Sequence, residues 1–291
     1  MFEKRVISLS IEGTTVRVLS SSGDSVERWD SIPLPPESIK HGYIVNPAKL
    51  GELLKGALEK RKLSKGKVVC AHSAMGVISR VLNLPKMDTR QMETIIDREA
   101  RRLTDDSAGR NYIHWQALSS SNGQQQVYLL IVPQRPLHAL VKTIKAAGLK
   151  ASLIDLKAMA LMKAVNQRNA IISNGEGNIV DTTIVRHDVP MVIRSVFLGD
   201  NMPSSDQAAD HIGDEVMQTI SEYANTHRDK PLPQQVPVYL TGAVSASVAA
   251  ALNVTTLTGH PIGNLQPPLR YPDDLPVADY AVNVGLILRM L

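Results

Sequence analysis

The segment ISLSIEGTTVRVL, residues 7–19, predicts two β-strands joined by a tight turn. Apolar side chains alternate with small or polar ones on both sides of Glu12 and Gly13, and glycine readily adopts the backbone that short turns require. A turn rich in Gly and Thr can offer N–H groups and hydroxyls to a phosphate, whereas the Glu12 carboxylate would repel one. The hairpin thus either binds a nucleotide or retains only the scaffold of such a site.

A second segment repeats this pattern in the other half of the chain. ISNGEGNIVDTTIV, residues 172–185, again indicates a strand, a Glu-Gly turn and a strand. The repetition predicts a duplicated unit whose two turns face a shared cleft. A third glycine turn, YLTGAV at residues 239–244, follows an apolar strand and begins a helix, where unpaired N–H groups can bind an anion or a sugar.

Composition narrows the class of protein. The 291 residues are 43% hydrophobic and 21% charged, which is ordinary for a globular chain with a real core. The net charge is only +4 and aromatic residues make up 4%, so a nucleic-acid-binding role is not supported. No apolar run reaches the roughly 18 residues of a membrane span, and residues 1–10 lack a signal peptide's features. A cytoplasmic protein is predicted.

Several local motifs are better explained by structure than by chemistry. The lone Cys70 lies in an apolar strand, VVCAHS, and is predicted to be a buried, inert thiol. His72 and Ser73 are strand neighbours and should point to opposite faces, which argues against a nucleophile and its base. Gly175-x-Gly177 lacks the third glycine and the helix of a dinucleotide fingerprint.

Strands and helices alternate along the chain. Helical periodicity is clear in VNPAKLGELLKGALEKRKL (45–63), MDTRQMETIIDREARRL (87–103) and RPLHALVKTIKAAGL (135–149). Asp88 or Thr89 is expected to cap the second of these helices, and Gly148 to end the third. The pattern predicts a mixed α/β protein with two lobes.

The order of these segments resembles the superfamily of actin, Hsp70 and sugar kinases. It most closely resembles the PilM family of type IV pilus assembly proteins, which are relatives of the cell-division protein FtsA. The likeness extends over nearly the whole chain. It includes HGYIVNPAKL (41–50), VISRVLNLPKM (77–87), AAGLKASLIDLKAMALMKAV (146–165), VYLTGAVSASVAAAL (238–252) and VADYAVNVGLILR (277–289).

The resemblance implies an α/β actin-like fold with duplicated, ribonuclease H-like lobes and an inserted small αβ subdomain. The first lobe is expected at residues 1–83 and the inserted, partner-binding subdomain at 84–153. The second lobe, with a reduced outer subdomain, is expected at 154–291.

The resemblance also locates a nucleotide site and shows where this chain departs from it. Ser10 and Asn174 stand where the family has aspartates, and Glu12 and Glu176 stand where it has glycines. Arg17 matches a basic position, Asp181 matches an acidic one, and the family's adenosine-binding glycine pair is here Gly242 followed by Ala243. The degenerate site comprises Ser10, Glu12, Gly13, Thr14, Thr15, Arg17, Asn174, Gly175, Glu176, Gly177, Asp181, Gly242 and Ala243.

These departures argue against nucleotide chemistry. Mg²⁺ needs hard oxygen ligands, and Ser10 and Asn174 remove two carboxylates. A carboxylate about 4 Å from a phosphate costs roughly 4 kcal/mol at a near-surface dielectric. We therefore predict no catalytic residue, no metal site and no cofactor. The alternative is that Glu12 and Glu176 hold the metal themselves, which would make the chain an active Mg-ATP-dependent ATPase whose nucleotide state controls lobe closure.

The function implied by the resemblance is that of a scaffold in type IV pilus assembly or a related secretion system. The expected partner is the cytoplasmic N-terminal peptide of a PilN-like inner-membrane protein. This peptide would lie in a groove between the first lobe and the inserted subdomain. The protein would then be cytoplasmic, at the inner face of the cell membrane and bound to it only through partners, with self-association left open.

Overall fold

The computed structural model describes residues 5–104, 110–121, 123–199 and 205–291. The strands are β1 (Val6–Glu12), β2 (Thr15–Ser22), β3 (Ser25–Pro33), β4 (Ile39–Lys40), β5 (Tyr43–Ile44), β6 (Lys67–His72), β7 (Ile78–Pro85), β8 (Asn111–Ser121), β9 (Gln124–Pro133), β10 (Ala151–Leu156), β11 (Asn169–Glu176), β12 (Ile179–Arg186), β13 (Val189–Phe197) and β14 (Val238–Gly242). The helices are α1 (Pro47–Lys60), α2 (Thr89–Leu103), α3 (Gln134–Ala146), α4 (Lys157–Val165), α5 (Ser205–Thr226), α6 (Val248–Thr258) and α7 (Ala281–Leu288).

The first lobe is built on a five-stranded sheet in the order β10-β6-β1-β2-β3. β1 and β2 form the predicted hairpin, and β6 runs parallel to β1 on its other side. Ile7, Leu9, Val16 and Val18 are buried together with apolar residues of α1 and α3. The alternation visible in the sequence therefore corresponds to one face of the sheet packed under two helices.

The second lobe repeats this arrangement with a four-stranded sheet in the order β13-β12-β11-β14. Ser10 lies opposite Arg17 in the first hairpin, and Asn174 lies opposite Asp181 in the second. Gly13 and Gly177 both have positive φ, 58° and 57°, in the turns. The predicted duplication is thus present strand for strand at the hairpins.

The two lobes share one apolar core around α4 and α7. This cluster includes Val69 of the first sheet and Ile172 of the second, with Ala160 and Ala281 from the helices. Gly285 is required for the close approach of α7 to α4, because a Cβ there would lie 1.8 Å from the Ala160 carbonyl oxygen. The shared core holds the two hairpins side by side.

A separate three-stranded sheet, in the order β7-β9-β8, carries α2 on one face. It begins at Ile78, somewhat before the expected start of the inserted subdomain at residue 84. At its other end, α3 packs against α1 and β10 pairs with β6, so both belong to the first lobe by contact. The limits 1–83, 84–153 and 154–291 therefore stay predictions, and strand pairing favours an insert of about 78–133.

The helix ends follow the local sequence signals. The Asp88 side chain accepts a hydrogen bond from the Gln91 N–H at 2.8 Å and so caps α2. Gly148 has φ +73° after α3, and the Leu149 N–H donates to the Ile144 carbonyl at 3.0 Å. This is a Schellman ending of the kind that glycine favours. In the part of the chain that the structure describes, no helix is both long and apolar enough to cross a membrane.

Candidate functional site: a filled cleft and an open groove

The cleft lies where the turns of the two hairpins meet. A Cβ built on Gly13 would lie 3.5 Å from the Glu176 carbonyl oxygen, so the two turns face each other as predicted from the sequence. Thr14 is exposed, and its carbonyl accepts the Leu34 N–H, while Thr15 is half-buried. The side chain of Glu12, a predicted site residue, lies outside the part of the structure that is described.

A buried ion pair crosses the cleft from one lobe to the other. Arg17 of β2 and Glu176 of β11 are 8% and 5% exposed, and the Arg17 Nη1 donates to the Glu176 Oε1. The same Oε1 accepts the Ala243 backbone N–H at 2.8 Å. The Arg17 guanidinium also lies 5.7 Å from the ring centre of Tyr280, a cation–π contact. One carboxylate thus holds a cation of the first lobe and a backbone donor of the second.

The glycine turn after β14 closes the floor of the cleft. Gly242 has φ +78°, and a Cβ there would lie 2.6 Å from the Gly175 carbonyl oxygen, so only glycine fits. The Thr241 hydroxyl donates to the Asn174 Oδ1 at 3.1 Å. Asn174 is 2% exposed, and its Nδ2 has no hydrogen-bond partner among the described residues. The chain therefore keeps the tight packing of the turn and leaves one buried donor unsatisfied.

A second buried ion pair lies beside the first. The Lys157 Nζ donates to the Asp181 Oδ2 at 2.9 Å, and the Ser195 hydroxyl donates to the other carboxylate oxygen at 2.5 Å. Lys157, at the start of α4, was not among the predicted site residues. In LKAMALMKAV, Lys157 begins the helix and is followed by five apolar residues before the next lysine, Lys163, and this is the signal that would have pointed to it.

Asn283 on α7 is another residue that the sequence analysis missed. Its Nδ2 donates to the carbonyls of Ser8 and Arg17 at 3.1 and 3.0 Å, which fixes the first hairpin to the C-terminal helix. Ser10, which is fully buried on β1, lies two residues after Ser8. Asn283 is the one polar side chain in the helix AVNVGLIL, and that is the signal that would have pointed to it.

A small cavity of about 50 Å³ lies beside the turn of the first hairpin. Gly13, His72, Ser73 and Lys157 are among its lining residues. Burial lowers the pKa of His72 to about 4, and its Nε2 has no partner among the described residues. Cys70 is buried as predicted, and burial raises the pKa of its thiol to about 12, which disfavours the reactive thiolate.

An open groove lies between the first lobe and the three-stranded sheet. Its volume is about 520 Å³, and its walls include Tyr43 and Ile44 of β5, Ile78 of β7, Leu103 of α2 and Ala139 of α3. A second depression of about 420 Å³ shares Ile44, Arg135 and Ala139 with it. That depression adds the basic residues Arg110, His138 and Lys142. The groove thus has apolar walls and a positively charged end.

Fit to a magnesium nucleotide can be judged from the cleft residues. Ser10 and Asn174 supply neutral oxygen atoms at positions where carboxylates would bind a divalent cation more strongly. Two donors that a phosphate would use, the Arg17 guanidinium and the Ala243 N–H, already bind the Glu176 carboxylate. These two donors of the cleft are therefore occupied by the chain's own carboxylate.

Comparison with known proteins identifies the fold and the family. The profile of the family described as "Type IV pilus assembly protein PilM" matches residues 8–197. A search among curated proteins finds no match. Among solved structures, a PilM-PilN type IV pilus biogenesis complex is similar with a TM-score of 0.76 and 21% identity over 98% of both chains.

Two more distant structures share the fold. The cytoplasmic domain of EpsL, an inner-membrane component of the type II secretion system of Vibrio cholerae, matches 97% of this chain and 94% of its own, with a TM-score of 0.51 and 13% identity. A Bacteroides thetaiotaomicron protein with an actin-like ATPase fold matches 98% of this chain and 96% of its own, with a TM-score of 0.51 and 9% identity. The predicted actin-like α/β fold is confirmed, and the chain belongs to the PilM family of type IV pilus assembly proteins.

Proposed function

We propose that this protein is a scaffold of type IV pilus assembly, or of a related secretion system, at the inner face of the cell membrane. Its partner is the cytoplasmic N-terminal tail of a PilN-like inner-membrane protein. The observation that carries this proposal is the groove of about 520 Å³ between β5, the three-stranded sheet and α3. The similar solved structure, a complex of PilM with PilN, supports the choice of partner.

The groove suits an extended peptide with apolar side chains. Tyr43 lines the groove and Val45 lines the adjoining depression, and these side chains are 40% and 57% exposed, so they present neighbouring apolar surface that a partner can cover. A short tail would gain affinity by burying its apolar residues against these walls. Arg135 and Lys142 at the wider end provide donors for backbone carbonyls or a carboxylate of the tail.

The test is direct binding of a synthetic peptide with the N-terminal sequence of the PilN-like protein from the same genome. Titration calorimetry with the full chain is expected to give one site. The Ala139→Arg variant places a long side chain in the groove and is expected to lower affinity at least tenfold, about 1.4 kcal/mol. Val248→Arg, on exposed α6, is the matched control and should bind like the wild type.

Equal binding of the peptide by Ala139→Arg and by the wild type would show that the peptide does not bind in the groove. If the wild-type chain did not bind the peptide, the PilN-like tail would not be its partner. Circular dichroism of each variant separates loss of binding from loss of fold.

We further propose that the cleft is a degenerate nucleotide site and that the protein is not an ATPase. The Glu176 carboxylate supports this, because a polyphosphate would have to displace it from Arg17 and the Ala243 N–H inside a buried environment. Like charges in such surroundings repel strongly. Asn174 and Ser10 offer only neutral oxygen atoms to a metal ion, without the charge of a carboxylate.

Thermal unfolding with millimolar ATP or ADP and excess Mg²⁺ tests this second proposal. Ligand at 100 times its dissociation constant would stabilise the fold by about 2.7 kcal/mol. We expect no shift of the melting temperature. A Mg²⁺-dependent rise would overturn the proposal and favour an active ATPase whose nucleotide state controls lobe closure. Comparison with Glu176→Ala shows whether this carboxylate is what excludes the nucleotide.

A further inference from the structure

The edge of the three-stranded sheet is open along β8. Among the described strands, β8 pairs only with β9 and forms the outer strand of its sheet. Its eleven residues, NYIHWQALSSS, contain no Asp, Glu, Lys, Arg or Pro. Proteins normally protect exposed edges with such residues, because bare backbone N–H and C=O groups recruit other strands. The register of β8 against β9 is regular from Asn111 to Ala117 and shifts after Ala117, so the regular part, residues 111–117, is the candidate interaction surface.

The other sheet edges of the described chain differ from β8. β14 is covered, since Val238 pairs with the loop at Ile262. β3, β7, β10 and β13 each carry charged residues or proline: Glu27, Arg28, Asp30 and Pro33; Arg80 and Pro85; Asp155; Pro190 and Arg194. Among the described edge strands of five or more residues, β8 is thus the uncovered one that carries no charged residue and no proline.

Apolar side chains on β8 are left in solvent. Tyr112 and Ile113 are 46% and 42% exposed. Ile113 lies opposite the buried Ile131 of β9, and two residues along, Trp115 packs against the cluster beneath α2. Ile113 and Trp115 therefore lie on the face of the sheet against which α2 packs. At the edge of that face, α2 leaves Ile113 exposed to solvent.

The hydrogen-bond pattern shows which backbone groups point outward. The Gln134 N–H donates to the Arg110 carbonyl at 3.0 Å, and Pro133, which has no N–H, lies opposite Asn111. In an antiparallel pair, hydrogen-bonded and non-hydrogen-bonded positions alternate. The N–H and C=O groups of Ile113 and Trp115 consequently point away from β9 and towards the open edge.

We propose that two copies of this chain pair through their β8 strands, antiparallel about a two-fold axis at His114. The pairing joins two three-stranded sheets into one of six strands. It brings Ile113 of one copy opposite Trp115 of the other, on the face that α2 covers. Pairs of a β-branched and an aromatic residue stabilise antiparallel strands.

A second copy fits this edge better than an unrelated strand because the edge is self-complementary. A two-fold interface requires that each patch match itself. β8 has no charged residue to repel its own copy or to select a charged partner. The neighbouring helix α2 carries both signs, with Glu93 and Asp97 among its arginines, so its copy across the axis meets opposite charges as readily as like ones.

Sedimentation equilibrium of the full chain tests the proposal. We expect a concentration-dependent mass that approaches twice the 31.7 kDa of one chain. Ile113→Lys should weaken association at least tenfold because it places a charge at the paired edge. Val248→Lys replaces an aliphatic residue on α6 that is still more exposed, at 81% against 42% for Ile113, and should associate like the wild type.

Cysteine crosslinking tests the register of the proposed pair of β8 strands. Residues opposite each other at a non-hydrogen-bonded position have Cα atoms about 4.5 Å apart, which suits a disulfide. His114→Cys is therefore expected to form a disulfide-linked dimer under mild oxidation, and Ser120→Cys on the same strand is not. Cys70 does not interfere, since it is fully buried and its thiol pKa is raised to about 12.

A monomer at every concentration would overturn the proposal. So would a dimer that Ile113→Lys leaves intact and His114→Cys does not crosslink, because another surface would then hold it. Association lost in Ile113→Lys, with crosslinking at residue 114 alone, is the supporting result. Neither outcome depends on whether the groove binds a peptide.

Discussion

The cleft and the groove of this protein use opposite arrangements of polar and apolar residues. In the cleft, two cations and two anions are buried and paired with each other, as Arg17 with Glu176 and Lys157 with Asp181. In the groove, large apolar residues such as Tyr43 and Val45 stay in contact with solvent. The cleft therefore pairs these four charges with each other, whereas the groove has apolar surface that a partner would cover.

Because of this difference, we expect substitutions in the cleft to affect stability and substitutions in the groove to affect binding. Buried charges that are paired contribute little net stability, yet removing one partner is costly because the other is left uncompensated. Exposed apolar groups can be removed from a groove at little cost to the fold, with the loss appearing in affinity instead. Cleft substitutions should therefore change the free energy of unfolding, and groove substitutions should change peptide binding.

The largest expected effect is that of Glu176→Ala. It leaves the buried Arg17 guanidinium and the Ala243 N–H without their acceptor, so we expect a loss of about 3–5 kcal/mol in the free energy of unfolding. Urea denaturation measures this. Glu37→Ala removes the exposed pair with Lys49 and is the matched control, for which little change is expected. If the two variants lost similar amounts of the free energy of unfolding, the buried ion pair of the cleft would contribute no more to stability than the exposed pair.

Replacing both partners sharpens the same comparison. The double variant Arg17→Met, Glu176→Met removes both charges of this pair, although the Ala243 N–H still loses its acceptor. We expect the double variant to be more stable than Glu176→Ala by about 1–3 kcal/mol. A double-mutant cycle with the two single Met variants measures the coupling. If the single losses simply add, then Arg17 and Glu176 are not coupled across the cleft.

The next effect is the pH dependence contributed by His72. Burial lowers its pKa in the folded state to about 4, while an unfolded histidine titrates near 6.5. The folded state therefore binds this proton less readily. The stability contributed by neutral His72 is complete above pH 6.5 and is lost as the pH falls towards 4, by roughly 3 kcal/mol.

Urea unfolding between pH 7 and 4 tests this expectation in the wild type and in His72→Gln. The variant should show a shallower loss of stability across that range, since it lacks the titrating group. His138→Gln, at an exposed histidine beside the groove, should follow the wild-type curve. Superimposable curves for His72→Gln and the wild type would contradict the proposed origin of the dependence.

The parts of the molecule that the sequence predicted are those governed by near neighbours. The hairpins, the Asp88 cap and the Gly148 helix end each depend on residues within a few positions, so pattern and turn chemistry were enough to find them. The insert's limits are less local, because β10 joins the first sheet only through β6, nearly eighty residues earlier.

The cleft could be predicted only as a set of positions. The family resemblance located Arg17, Asn174, Glu176, Asp181 and Gly242, and the structure brings all of them to one region. It could not show that Glu176 would bind Arg17, because the partners lie 159 residues apart and a carboxylate fits equally well at a metal. Lys157 and Asn283 were missed for the same reason, since their roles depend on contacts across the lobes.

The smallest expected effect on the fold, and the clearest on binding, is that of Tyr43→Ser. Tyr43 is 40% exposed at the groove, so we expect the free energy of unfolding to change by less than about 1 kcal/mol. Affinity for the PilN-like N-terminal peptide should fall about tenfold, because an aromatic side chain in a binding groove typically contributes at least 1.4 kcal/mol. Calorimetric titration and urea unfolding of the same preparation measure both quantities. If stability fell while affinity stayed the same, Tyr43 would belong to the core of the first lobe rather than to the binding surface, and the contrast between cleft and groove would fail at this residue.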